Sequence, residues 1–161
     1  MKTRKIHTDY FRSLIFGAED SLVSTVGVLF GVSTALADKS TIILTGFVVI
    51  AVEALSMGAG AFLTEESAHE LDDKRHHRDK PWIGGLIMFF SYFLTGFIPL
   101  APYFFLDLYT AKVVSVTVTF VALFIVGYLP TKSSKSGFRM AVVAGLAIAV
   151  GYLIGKWAPS L

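Results

Sequence analysis

Three carboxylates fall inside long apolar stretches of this sequence. Glu19 and Asp20 lie in the first stretch, and Glu53 lies in the second. A charge at the centre of a bilayer costs about 2.5 to 3.5 kcal/mol on insertion scales, whereas a whole domain is stable by about 5 to 15 kcal/mol. We therefore expect these side chains to face a protein interior, a cavity or one another, and to mark a route for cations or protons.

Met57 could add a sulfur ligand to such a route. At a rise of about 1.5 Å per residue, Asp20 lies roughly 10 Å from one end of its predicted helix, and Met57 lies equally deep in the next. Glu53 is about 16 Å deep, level with Ser24, and shares a helix face with Met57 and Gly60. Sulfur beside oxygen favours Fe²⁺ or Mn²⁺ over Mg²⁺ or Ca²⁺, although a core methionine is often only a gap filler.

A second group of potential metal ligands follows the second apolar stretch. Its members are acidic and histidine side chains, namely Glu65, Glu66, His69, Glu70, Asp73 and His77. If the segment is helical, His69 and Asp73 share a face because they are four residues apart. Alternating acidic and basic residues also form ordinary solvated helix ends, so metal capture and plain solvation both remain open.

Composition indicates the elements that must hold these residues. The chain has 161 residues, of which 54% are hydrophobic and 16% charged. It is too apolar for an ordinary soluble domain. A helix needs roughly 20 apolar residues to cross a bilayer, and barrel strands would need an alternating pattern that is not seen here. We predict one all-α transmembrane domain, 1–161, with helices at 13–37, 41–64, 82–105, 111–129 and 138–157.

Positive charges predict the orientation of these helices. Eleven of the 14 lysine and arginine residues lie on one side of the predicted bundle. Four precede the first helix, four lie in the connection 65–81, and three lie between residues 130 and 139. The opposite side holds only Lys39, Lys112 and Lys156. Since basic loops stay in the cytoplasm, the amino terminus and the connection 65–81 should be cytoplasmic.

Several function classes are excluded by residue types. The chain has no cysteine, so thiolate metal sites and cysteine nucleophiles are ruled out. No stripe of basic and aromatic residues suggests a nucleic-acid surface. All four histidines lie outside the predicted spans, and no nucleophile is paired with a base, so we do not expect an enzyme.

Small residues predict where helices approach each other. Gly17, Asp20, Ser24, Gly27 and Gly31 form one stripe on the first helix. Gly27 with Gly31, and Gly151 with Gly155, have the G-x-x-x-G spacing that allows close helix contact in a bilayer. This contact could lie within the chain or form a dimer seam along the first helix. Pro99 and Pro102 should kink the third helix near its outer end.

The motifs resemble those of one transporter family. The segments GAEDSL (17–22) and EALSMGAG (53–60) are similar to the two signature segments of the vacuolar iron transporter family. The segment FIPLAPY (97–103), and Arg139-Met140 followed by the glycine-rich stretch 145–155, also fit its pattern. The resemblance covers nearly all five helices.

This resemblance implies a homodimeric five-helix transporter that moves Fe²⁺, and often Mn²⁺, out of the cytosol in exchange for protons. Asp20 and Met57 match the family residues that contact the ion near the dimer interface, which places helix one there. The ion is substrate, and no bound cofactor is implied. Val49 stands where plant members often have a glutamate, and Glu53 follows one turn later.

The connection 65–81 departs from the family pattern. It is too short for the glutamate-rich metal-binding domain of longer members, and Glu65, Glu66 and Glu70 would be a remnant of it. A minimal chain suggests the plasma membrane of a prokaryote, with a vacuolar membrane as the alternative. The competing functional hypothesis is a non-transporting membrane scaffold whose carboxylates serve helix packing and partner binding.

Overall fold

The computed structural model describes residues 2–35, 38–71 and 80–158. Over these residues the chain is helical. The helices are α1 (Lys2–Ala35), α2 (Lys39–Leu71), α3 (Pro81–Leu100), α4 (Pro102–Phe105), α5 (Leu108–Thr131) and α6 (Ser134–Trp157). Five spans, with α3 and α4 counted together, are long and apolar enough to cross a membrane. The all-α class and the number of spans are therefore confirmed, while the orientation across the membrane stays a prediction.

Helix α1 lies at the centre of the bundle and contacts α2, α3, α5 and α6. Its side chain Leu22 is fully buried and packs with Leu123 and Ala144. Farther along, Leu29 packs in a second buried cluster that includes Leu100. Many large apolar side chains of the outer helices are exposed, as lipid-facing residues would be.

Two helix boundaries differ most from the predicted ones. Helix α1 begins at Lys2 rather than at residue 13, and α2 continues past Thr64 to Leu71. The predicted connection 65–81 is therefore helical in its first part. Hydropathy detects only the apolar part of a helix, whereas the segment after Thr64 contains good helix formers and a Glu65–His69 pair one turn apart.

Proline interrupts the third span as predicted. Helix α3 ends at Leu100, and α4 begins at Pro102. Proline has no N–H to donate to the residue four positions earlier, so backbone carbonyls lose their helical partners here. The Ser115 hydroxyl of α5 donates to the Pro99 carbonyl at 2.6 Å. A polar group of the bundle thus satisfies the backbone at the break.

Aspartates cap two of the long helices. The Asp38 carboxylate accepts hydrogen bonds from the hydroxyl and, at 2.8 Å, from the backbone N–H of Thr41 at the start of α2. Asp107 accepts from the Thr110 N–H at 3.0 Å at the start of α5. Because these bonds favour the ionised form, they lower the pKa of both carboxyls below the ordinary aspartate value.

Replacing Asp107 by alanine should lower the thermal midpoint in detergent by about 2 to 4 °C at pH 7. A lowered pKa in the folded state stabilises the fold above the ordinary aspartate pKa of about 3.9, and this contribution is lost as the pH falls through the lowered value. The difference between wild type and variant, followed by circular dichroism, should therefore shrink from pH 6 to pH 3. An equal difference at both pH values would contradict a role for the ionised cap.

Candidate ion path

Close contacts fix α1 against α3 near the carboxylates. A Cβ atom at Gly17 would lie 2.9 Å from the Met88 carbonyl oxygen, so only glycine allows this approach. The Ser21 hydroxyl donates to the Tyr92 carbonyl at 2.6 Å, and both residues are fully buried. These contacts set the register of the α1 segment that carries Glu19 and Asp20.

Glu53 of α2 connects three helices through one carboxylate oxygen. Its Oε2 accepts a hydrogen bond from Ser24 Oγ of α1 at 2.9 Å and another from the Tyr92 hydroxyl of α3. Ser24 Oγ and the Tyr92 hydroxyl oxygen are themselves 2.5 Å apart. We call Ser24, Glu53 and Tyr92 the Glu53 triad.

The hydrogen bond between Ser24 and Glu53 confirms that the two residues lie at the same level of the bundle. Tyr92 was not singled out from the sequence. A tyrosine within an apolar span needs a partner for its hydroxyl, and this requirement is the signal that could have identified it. The sequence does not reveal the partner of this hydroxyl, because Glu53 lies 39 residues away along the chain, on another helix.

Asp20 and Glu19 are half-buried on α1. Asp20 interacts electrostatically with Glu53, and Glu19 interacts with Asp20. Within the described part of the chain, no lysine or arginine forms an ion pair with any of the three. The structure thus brings negative groups of α1 and α2 into mutual range without a basic side chain to neutralise them.

Met57 belongs to a half-buried stripe of α2. Residues at every fourth position, including Glu53, Met57, Ala61 and Glu65, have intermediate exposure beside the fully buried residues of the core. Met57 therefore lies one turn from Glu53 on the same stripe. Gly60 is exposed, and a Cβ atom there would have no neighbour within 4 Å.

A closed metal cage is not present in the described residues. They contain no group of three or more Asp, Glu or His side chains that could hold a metal ion. In the helical extension of α2, His69 Nε2 lies 3.4 Å from Glu65 Oε1, while Glu66 and Glu70 are exposed. Asp73 and His77 lie outside the described residues, so the weaker predicted site stays a prediction.

The glycine pairs form a seam within the chain. A Cβ atom at Gly31 would lie 2.8 Å from the Gly151 carbonyl oxygen of α6, and one at Gly155 would lie 2.2 Å from the Gly31 carbonyl oxygen. Gly27 likewise faces Ala147 of α6. Helix α6 of the same chain therefore covers this face of α1. A homodimer through helix one would have to use another part of α1.

These features define a class of protein. Four apolar spans pack around a fifth, central one, and half-buried acidic side chains of two neighbouring spans lie within electrostatic range of each other. Ionisable groups within spans are expensive and typically line substrate or ion pathways. The arrangement is that of a polytopic membrane transport protein.

The chain belongs to the VIT family, whose sequence profile matches residues 11–80 and 65–156. Vacuolar iron transporter homolog 2 of Arabidopsis thaliana is 27% identical over 165 residues, covering 92% of this chain and 84% of that protein. An uncharacterized protein of Methanocaldococcus jannaschii is 30% identical over 165 residues, covering 86% of this chain and 84% of its own length. The resemblance deduced from the helix-one and helix-two motifs is thus confirmed.

One relative is longer than this chain. Vacuolar iron transporter 1 of Eucalyptus grandis is 25% identical over 211 aligned positions, which cover 90% of this chain and 85% of the relative. Because 211 positions exceed the 161 residues of this chain, the relative carries residues with no counterpart here. The two profile matches meet between residues 65 and 80, at the connection of α2 and α3. The chain is a short member of its family.

Proposed function

We propose that this protein is a secondary transporter of a divalent transition-metal cation, Fe²⁺ or Mn²⁺, which it exports from the cytosol in exchange for protons. The observation that carries the proposal is the hydrogen bond of Ser24, one turn after Asp20 on α1, to Glu53 of α2 at 2.9 Å. It places the acidic groups of the two helices at neighbouring levels of the bundle, within electrostatic range of each other. Two neighbouring acidic groups without a basic partner repel each other, and a divalent cation passing between them relieves that repulsion. Membership of a metal transporter family supports the same reading.

The proposed path contains Glu19, Asp20, Glu53 and Met57. The carboxylates attract the ion and replace part of its hydration water. The Met57 thioether makes the donor set softer, which favours Fe²⁺ or Mn²⁺ over Mg²⁺. A transport site must bind weakly enough to release its ion. A small number of ligands spread along two helices suits passage better than storage.

Proton exchange follows from the ligand chemistry. A carboxyl group must lose its proton before it can bind a cation, so ion binding releases protons and ion release takes them up again. Export from the cytosol is the direction that the resemblance to the vacuolar iron transporter family implies. The membrane in question is the plasma membrane of a prokaryote, with a vacuolar membrane as the alternative.

A second copy of the chain completes the proposed path. Phe16 is 50% exposed on α1, and Glu19 and Asp20 near it are half-buried in a single chain. A lipid-facing carboxylate would be costly, whereas a homodimer that covers this face would enclose it. The contact of α1 with α6 lies at Gly27 and Gly31, so the dimer would form nearer the amino end of α1, at the level of Phe16 and Asp20.

Flux measurements in liposomes test the proposal. Purified protein is reconstituted with a pH-sensitive dye inside, and Mn²⁺ or, without oxygen, Fe²⁺ is added outside. Exchange for protons should raise the internal pH with a rate that saturates in metal concentration. Mg²⁺ and protein-free liposomes are the controls. If neither Fe²⁺ nor Mn²⁺ moves protons or enters the vesicles, the transport proposal is wrong.

The Glu53 triad favours a second candidate function, a membrane scaffold in which carboxylates serve helix packing. Glu53 does join three helices, as a structural carboxylate would. Glutamine at position 53 can accept the same two hydrogen bonds at its amide oxygen but carries no charge. A scaffold should therefore tolerate Glu53→Gln, with unchanged melting and assembly, while a transporter should lose most of its metal-dependent flux.

A further inference from the structure

The two oxygens of the Glu53 carboxylate have different surroundings. Oε2 accepts hydrogen bonds from both Ser24 and Tyr92. Among the described residues, Oε1 accepts none. A free glutamate side chain samples many rotamers, and fixing one costs conformational entropy. Two hydrogen bonds to Oε2 fix the rotamer of Glu53 before an ion binds. They therefore also set the direction in which Oε1 points.

We propose that Ser24 and Tyr92 are positioning residues for the transported ion, because they anchor Glu53 by Oε2 and thereby present Oε1 to the path. This inference rests on the proposed transport function. Neither hydroxyl needs to touch the ion. Both act through Glu53, whose free oxygen they hold in place before the ion arrives.

Tyr92 is well suited to serve as a fixed anchor. Its side chain is fully buried, and its backbone carbonyl accepts a hydrogen bond from Ser21 of α1 at 2.6 Å. One turn along α3, a Cβ atom at Gly96 would lie 2.7 Å from an Ile50 side-chain carbon of α2. Contacts with α1 and α2 therefore hold the Tyr92 segment of α3 in place. The Tyr92 hydroxyl can thus hold the Glu53 carboxylate in a fixed position.

Ser24 links the two carboxylates of the path. It lies one helical turn after Asp20 on α1, so both residues occupy the same side of that helix. Its hydroxyl reaches Glu53 Oε2 at 2.9 Å. The hydrogen bond therefore ties the α2 carboxylate to the α1 segment that carries Asp20. If the anchor is lost, the ion meets two ligands whose spacing is no longer fixed.

The test compares hydroxyl deletions with matched controls in the reconstituted full-length protein. Tyr92→Phe and Ser24→Ala should each raise the apparent KM for Mn²⁺ about tenfold and change the maximal flux less than twofold, because a bond to a charged group is lost while the pathway is kept. Ser24→Thr retains the hydroxyl and should restore the KM to within about twofold of wild type.

The controls remove buried hydroxyls elsewhere. Tyr103 is 1% exposed and Ser33 is 3% exposed, and the Ser33 hydroxyl donates to Phe30 O of its own helix. Tyr103→Phe and Ser33→Ala should leave the KM within about twofold of wild type. Melting temperature and size-exclusion profile are recorded for every variant. If Tyr92→Phe does not fold, the comparison of Ser24→Ala with Ser24→Thr decides.

Each outcome has a defined meaning. A KM that rises only in the triad variants, with rescue by threonine, supports the proposal. A KM equal to that of the controls overturns it, and so does a loss of maximal flux at unchanged KM, which would indicate a conformational role. These results leave the transport function standing. Absence of flux in the wild type would overturn both.

Discussion

Replacing Asp20 by asparagine should reduce metal-dependent proton flux at least tenfold while leaving the fold and assembly intact. Asparagine has nearly the same shape as aspartate but is neutral, so it neither attracts a divalent cation strongly nor exchanges a proton. Asp20 is half-buried, and a second acidic group, Glu53 of α2, lies within electrostatic range of it. Initial rates with Mn²⁺ in liposomes measure the effect, and size exclusion reports assembly.

Two further variants of α1 calibrate this result. Asp9→Asn removes an exposed carboxylate near the start of the membrane span of the same helix and should leave flux within about twofold of wild type. Glu19→Gln removes the neighbouring carboxylate, which lies about 100° around the helix, and should have an intermediate effect. Unchanged uptake in Asp20→Asn would remove Asp20 from the mechanism. Loss of assembly together with flux would instead favour the scaffold function.

The number of spans could be predicted because hydropathy is a local property of the sequence. Each span needs about 20 apolar residues whatever its neighbours are. The ends could not be read in the same way. Helix α2 continues to Leu71 through Glu65 and His69, and a helix that leaves the bilayer keeps its backbone hydrogen bonds while its side chains become polar. The apolar pattern predicts the length of the membrane-spanning part of a helix, not the length of the whole helix.

Only the charged residues of the candidate site could be predicted from the sequence, because burying a charge in a membrane has a large free-energy cost. That cost identified Asp20 and Glu53 and required them to face inward. It did not identify Tyr92, since a buried carboxylate can be satisfied by a hydroxyl from any neighbouring helix. Likewise, the spacing of Gly27 and Gly31 predicts a close helix contact but not the partner. The partner depends on how all helices pack together.

Replacing Gly151 by alanine should lower the thermal midpoint by about 5 to 10 °C, because overpacking a tight contact costs about 1 to 3 kcal/mol or more. A Cβ atom there would lie 2.2 Å from the Gly27 carbonyl oxygen, and a backbone atom cannot move aside without shifting its helix. Gly145 of the same helix provides the control. The nearest neighbour of a Cβ atom at that position would be Phe120 Cζ at 3.9 Å, an ordinary contact.

Gly145→Ala should leave the midpoint unchanged or raise it slightly, because alanine favours a helix over glycine by about 1 kcal/mol. The two substitutions add the same methyl group to α6 and should have opposite effects, and equal shifts would show that α1 and α6 are not in close contact.

The dependence of the thermal midpoint on protein concentration distinguishes a glycine contact within one chain from a glycine contact between two chains. A contact within one chain gives a Gly151→Ala shift that does not depend on concentration, whereas a dimer seam would give a midpoint that rises with concentration. Since α6 already covers the glycine face of α1, we expect no such rise from this contact.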